Sequence, residues 1–332
     1  MLRSRSVRDA IFFLLFLFAQ SLHLFTIHRY TETKHCTRTE DPYNRKESVV
    51  PLLPSIELIR DAQCRSYAVP SFCTWNAESV KTVLDVAEEM RAPVMVMNGW
   101  AEFPVIRPKL YSIIVYGLME QYTVPVSLHL DHGQSLDEVR ECIEASYTSV
   151  MLDFSSRSLD ENIKALQEVS RLAHPHGITV EGELGAVGMV DTDVLEGTLE
   201  STLTDPETAK RYVDETGVDM LAVSIGNAHG LYKEKPKLDF DLLARIEAEV
   251  TVPLVLHGGS GTPQEDLERA ISMGIAKINV ASESIHTVRE SLLKQWSSRE
   301  NLWVPIAMEK ACQQMADVVR TWIGKTGSAG KA

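Results

Sequence analysis

The stretch SLHLDHGQS, residues 127–135, begins as an apolar strand and ends in titratable side chains. Buried strands ordinarily run out into Gly, Pro, Asn or Ser turns. Here Asp131, His132 and Gly133 close the run, with His129 two residues before the aspartate. Such an ending asks what architecture collects strand ends at one place, and what chemistry waits there.

The surrounding pattern answers the first question. From about residue 50, short apolar runs alternate with amphipathic segments. SIELIRDAQ (55–63) reads as a short helix, followed by strands and helices in turn. The strands fall at 66–72, 93–97, 124–131, 149–153, 178–185, 220–226, 253–260 and 276–282. The helices between and after them fall at 77–90, 104–122, 135–146, 158–174, 205–217, 239–250, 263–274 and 284–296, with a last one over 303–323. Ser caps, a Pro in the first turn at 206 and a Gly at 217 mark helix ends. Parallel strands need crossovers, so eight strand–helix repeats mean a parallel sheet. Eight units close into a (β/α)₈ barrel, with an open doubly wound sheet as the competitor. No GxGxxG follows the first strand and no GxxxxGK[ST] is present, which disfavours the nucleotide-binding versions. The predicted fold is therefore α/β, a (β/α)₈ TIM barrel with an extra N-terminal segment and a C-terminal helix.

The expected organisation is an apolar signal-like or anchor segment (1–27), a polar linker (28–49), the barrel (50–325) and a flexible tail (326–332). Arg3, Arg5 and Arg8 precede a ten-residue apolar run at 10–19, the layout of a signal peptide or signal-anchor. The run is short for a spanning helix. A cytoplasmic protein is expected if this segment is an extension, and a secretory or membrane-anchored one if residues 10–27 act as an anchor. The formal net charge of -13 disfavours nucleic acid as a partner, because non-specific binding rests on Lys and Arg at phosphates. Any anionic small molecule must be held locally, by amides, a metal or a few cations. Five widely spaced cysteines with no CxxC pair indicate neither a disulfide framework nor a zinc ribbon.

Catalytic groups of such barrels sit at the C-terminal strand ends. Strand three ends in Asp131 and His132, strand four in Asp153, and strand five carries Glu181 and Glu183. Strand six runs into GNAHGLY with His229, and strand seven ends in LHGGSGTP with His257. Strand eight ends in NVAS with Asn279. Three histidines at three strand mouths suit a divalent metal, since catalytic zinc keeps three protein ligands and one open position. The alternative is that each is an ordinary hydrogen-bonded side chain in a polar loop. His129 is expected to point away from His132 or to line the barrel, and is not assigned as a ligand. The glycine-rich ends of strands seven and eight offer exposed amides where barrels often bind phosphate. The stretch 186–204 is unusually long for a strand-to-helix loop, the kind that is functional or disordered.

Taken together, YAVPSF, VPVSLHLDHG, SVMLD, VEGELG, LTDPETAKRYVDETGVDMLAVSIGNAHGLY, VPLVLHGGSG and KINVAS resemble the class II, metal-dependent ketose-bisphosphate aldolases over about 50–325. The resemblance implies Zn²⁺ on His132, His229 and His257. It implies Asp131 as the group that exchanges the C4 hydroxyl proton during C3–C4 cleavage. It implies that Gly230, Gly258, Gly259, Ser260, Asn279, Val280, Ala281 and Ser282 hold the dihydroxyacetone phosphate end, with a monovalent cation (Na⁺ or K⁺) nearby. Asp153 and Glu183 match carboxylates at a secondary metal position. Asp191 stands where the family keeps a loop Glu that moves a carbon-bound proton, one methylene shorter. Cys73 stands where the family has Asn, and Gly188-Met189 where it has Gly-Gly. The implied substrate is fructose- or tagatose-bisphosphate, and the implied assembly a homodimer or homotetramer. Two other readings compete. A barrel metal hydrolase would carry His-x-His on strand one, where YAVPSF stands. A non-catalytic, membrane-tethered binding protein would use the apolar N-terminus.

Overall fold

The computed structural model describes residues 52–189, 202–230, 235–299 and 303–332. The N-terminal segment, the linker and Asp191 lie outside the described residues. Among the described residues no helix is long and apolar enough to cross a membrane.

Eight parallel strands close into a barrel: β1 (Val69–Cys73), β2 (Val94–Gly99), β3 (Val126–Gly133), β4 (Ser149–Leu152), β5 (Thr179–Leu184), β7 (Met220–Val223), β9 (Leu254–Leu256) and β10 (Ile275–Val280). β10 pairs with β1 to seal the cylinder. Ten helices surround it in the described chain: α1 (Ser55–Cys64), α2 (Ala77–Met90), α3 (Pro108–Met119), α4 (Leu136–Glu144), α5 (Leu159–Ala173), α6 (Pro206–Thr216), α7 (Phe240–Glu249), α8 (Gln264–Ser272), α9 (Ser282–Ser297) and α10 (Val304–Lys325). The expected (β/α)₈ architecture is present, with two small differences at helix starts. α3 begins at Pro108, whose missing N–H costs nothing in a first turn. α9 begins directly after β10, at Ser282.

Side chains alternate along each stave. Outward residues such as Phe72, Val94, Val96, Leu128, Leu130, Val150, Val180, Leu221 and Leu256 pack under the helices as the main core. Inward residues form a smaller apolar plug, in which Met95, Met220, Ala222 and Val255 meet Leu58 and Ile59 of α1. Polar bonds seat α1 at the N-terminal ends of the strands. Ser55 Oγ lies 2.7 Å from Ser127 Oγ, and the Ile56 N–H donates to Thr179 Oγ1 at 3.1 Å. α1 thus fills the N-terminal mouth of the barrel.

Two strands were not legible from the sequence. β6 (Gly188–Met189) and β8 (Ala228–His229) pair in parallel above the rim, Met189 opposite His229. They are two residues long, below what periodicity can register. The C-terminal residues, expected as a tail, bond to the barrel: Ala68 N–H donates to Thr326 O, Gly330 N–H to Met90 O and Ala332 N–H to Arg91 O, each at 2.9 Å. Thr326 and Ser328 are buried. A polar, glycine-containing end reads as a tail because these partners are backbone groups, which carry no sequence signature.

Truncation after Lys325 removes these bonds, each contributing about 1 kcal/mol; thermal melting followed by circular dichroism should show a lowered Tm, and an unchanged Tm would refute the anchoring. A second expectation concerns His174, whose Nε2 lies 3.1 Å from Asp219 Oδ2. The bond to Asp219 raises the imidazole above its ordinary value, with burial opposing. A raised folded-state value stabilises below the unfolded value of roughly 6.5 and is lost as pH rises through the folded one. His174→Ala should therefore lower Tm at pH 5.5 more than at pH 9.

Candidate active site and metal centre

Strand alternation would send Asp131 and His132 to opposite faces of β3. The structure evades this. His132 has φ 45°, in the left-handed region, and the β3–β4 register shifts between Leu130 and Gly133. The turn brings both consecutive side chains to the mouth. A non-glycine residue there is strained, and such strain persists where the surroundings hold it.

His132, His229 and His257 converge. Their ring centroids lie 5.0, 4.7 and 5.8 Å apart, and one nitrogen from each falls within 4.8 Å of the others. His257 comes from the end of β9, His229 from β8, which its pairing with β6 holds over the rim. His129 is not part of this group. It lines the barrel, with Nδ1 2.8 Å from Ser149 Oγ.

The hydrogen bonds set the tautomers. His132 Nδ1 is 2.7 Å from Asp153 Oδ2, and His257 Nε2 is 2.7 Å from Glu181 Oε1. Ionised carboxylates only accept, so each imidazole donates there and turns its other nitrogen to the centre. Those two nitrogens, His132 Nε2 and His257 Nδ1, stand 2.9 Å apart. Two lone pairs at that distance need a proton or a cation between them. Burial opposes a charge on His132, but Asp131 and Asp153 outweigh it and raise it to about 10. Burial and the charge on His132 lower His229 to about 4, and the same two causes depress His257. Three nitrogens facing one point, backed by carboxylates, are a donor set that fits Zn²⁺.

Carboxylates crowd the other side. Asp153 Oδ1 accepts from Ser155 N–H at 3.0 Å and Ser155 Oγ at 2.7 Å. Burial works against its charge, yet His132 and Ser155 hold Asp153 well below the usual carboxylate range. Burial, with Asp153 next, pushes Glu183 up to about 8. Its Oε2 is buried without a hydrogen bond, a place where a cation or proton fits. His132, Asp153 and Glu183 form a second group of close ligand atoms.

Asp131 accepts from Asn279 Nδ2 at 2.9 Å, an arm from β10 across the mouth. The glycine-rich turn divides by role. Gly258 has φ 65°, and a Cβ there would meet Ala228 O at 2.0 Å. Gly259 N–H is already committed to Asn279 O at 3.1 Å. Ser260 Oγ accepts from Glu283 N–H at 3.4 Å, which ties the turn to the start of α9. Ala281 and Ser282 stand at that helix start, and Gly230 (φ 104°) follows His229. Val280 is buried in the outer core, so its side chain is turned away from the site.

Three residues escaped assignment. Glu181 was seen on strand five without a role. Lys277 sits fully buried inside the barrel, its Nζ 2.8 Å from Glu181 Oε2. Its signal was a lone charge within the apolar strand IAKINV. Glu102, after β2, accepts from Gly99 N–H at 2.8 Å and lies 3.9 Å from Cys73 Sγ. Burial, then Glu102 and Asp131, push the Cys73 thiol well up, away from the thiolate that a nucleophile needs.

Comparison with known proteins agrees with this geometry. The family model described as fructose-bisphosphate aldolase class-II matches residues 54–331. The YdjI aldolase from Escherichia coli K12 is 33% identical, covering 85% of this chain and 100% of that one with a TM-score of 0.75. A candidate fructose-1,6-biphosphate aldolase from Coccidioides immitis is 28% identical, with 83% and 97% covered and a TM-score of 0.74. Fructose-bisphosphate aldolase from Campylobacter jejuni shares the fold at 22% identity, with 85% and 97% covered and a TM-score of 0.72. A closed parallel barrel whose rim gathers three imidazoles, matched end to end by this model, places the chain in the class II fructose-bisphosphate aldolase family.

Proposed function

We propose that this protein catalyses metal-dependent aldol cleavage and condensation of a ketose 1,6-bisphosphate, of fructose or tagatose type. The products are dihydroxyacetone phosphate and an aldehyde such as glyceraldehyde 3-phosphate. The observation that carries the reading is the convergence of His132, His229 and His257 beside Asp131.

Cleavage of C3–C4 moves an electron pair toward the C2 carbonyl and a proton off the C4 hydroxyl. His132, His229 and His257 would hold a Zn²⁺, which would supply the electrophile for that carbonyl, so no Schiff-base lysine is required. Asp131 takes the C4 hydroxyl proton, held in place by Asn279 Nδ2. The start of α9 and the turn Gly258–Ser260 lie together, and helix-start amides favour the substrate phosphate. Gly230, Asn279, Ala281 and Ser282 are assigned to the same end of the substrate. Asp153 and Glu183 form the secondary position, where the acid pair suits a second cation. Asp191 is assigned the carbon-bound proton of dihydroxyacetone phosphate in the condensation direction.

EDTA should abolish cleavage of both bisphosphates, and added Zn²⁺ should restore it; full activity without metal, or none after restoration, would refute the reading. His257→Ala should lose stoichiometric zinc. Asp131→Ala should keep its zinc and lower kcat about 10²–10⁴-fold, measured by coupled assay of dihydroxyacetone phosphate release. Retained turnover in that variant would remove Asp131 from its role.

A further inference from the structure

A buried lysine that touches no substrate site calls for an account. Lys277 projects from β10 into the barrel and is fully buried. Its Nζ donates to Glu181 Oε2 at 2.8 Å, and the other oxygen of the same carboxylate lies 2.7 Å from His257 Nε2. Glu181 is also fully buried. Among the described residues no other hydrogen bond reaches Oε2: His129 Nε2 stands 3.5 Å away and makes none.

We propose that Lys277 is a positioning residue for the metal centre, holding the Glu181 carboxylate so that His257 presents Nδ1 to the ion. The proposal rests on the reading of His132, His229 and His257 as ligands. A carboxylate anchored through one oxygen can still swing about that contact. Anchored through both, its plane is set, and with it the direction of the His257 ring. Outer partners of ligating histidines act in this way, and their loss costs metal affinity. A buried ion pair is weak evidence for stability, because well-packed apolar residues of similar volume often serve as well or better. Placed directly behind a ligand, the pair has a use that an apolar pair lacks. Nor is Lys277 a nucleophile, since its ammonium is ion-paired within the barrel behind His257.

The experiment compares wild type, Lys277→Met, Glu181→Gln and the double variant as full-length proteins. Zinc affinity is read by competition with a chromophoric chelator, ligand geometry by the visible spectrum of the Co²⁺-loaded protein, and folding by thermal melting. Lys277→Met should bind zinc about 10–100-fold more weakly and shift the Co²⁺ bands. The double variant leaves no lone buried charge, so its Tm should recover toward wild type while its zinc affinity stays weak. If Lys277→Met fails to fold, the comparison of the double variant with Glu181→Gln decides: the two should bind zinc equally, because Lys277 acts only through Glu181, and a further loss in the double variant would overturn the proposal. Wild-type affinity and Co²⁺ spectrum in the folded variants, or an affinity that recovers in step with Tm, would overturn the proposal. Wild-type protein that binds no stoichiometric zinc would instead sink the ligand reading beneath it.

Discussion

Two neighbouring residues on a strand cannot both face the inside of a barrel unless the backbone turns between them. The site depends on that turn. His132 at φ 45° breaks the alternation of β3 at its last residues, and Asp131 keeps the inward direction that the strand provides. The left-handed conformation is unfavourable for a histidine, and the hydrogen bond to Asp153 helps to hold it. Gly99 and Gly133 make room. A Cβ at Gly99 would meet Asp131 O at 2.2 Å, and one at Gly133 would meet Met151 O at 2.7 Å. Neighbouring strands thus come close enough to brace the irregular end of β3.

Beneath the mouth the barrel interior is polar. Ser71, Ser127, His129, Ser149, Glu181 and Lys277 are all buried, alongside the plug that α1 completes. Polar groups in such a place are tolerated when they satisfy one another. Ser127 meets Ser55, His129 meets Ser149, and Glu181 meets both Lys277 and His257. The layer stands behind the ligating histidines, and its Ser127–Ser55, Glu181–Lys277 and Glu181–His257 pairs join elements distant in sequence. Rigidity at the rim is supplied from below.

Much of this was legible in the chain. The alternation of apolar runs and amphipathic segments announced eight parallel units, because each period has one physical cause: strands buried on both faces and helices on one. The strand-end residues Asp131, His132, Asp153, His229 and His257 stood out because titratable groups are costly in apolar strands. The tail and the strands β6 and β8 did not. Their stabilising partners are distant backbone groups, and a two-residue strand has no period.

The sequence by itself determined the architecture, the residues at the mouth and the kind of donor each offers, since periodicity and side-chain chemistry are local properties. Only the tertiary structure decided which of those donors meet. Nothing in the chain says that a left-handed turn at His132 brings its ring to the mouth beside Asp131, that Gly259 spends its amide on Asn279, or that Lys277 stands behind His257. Those outcomes follow from the left-handed turn at His132 and from contacts made when β10 closes on β1, which couple residues more than a hundred positions apart.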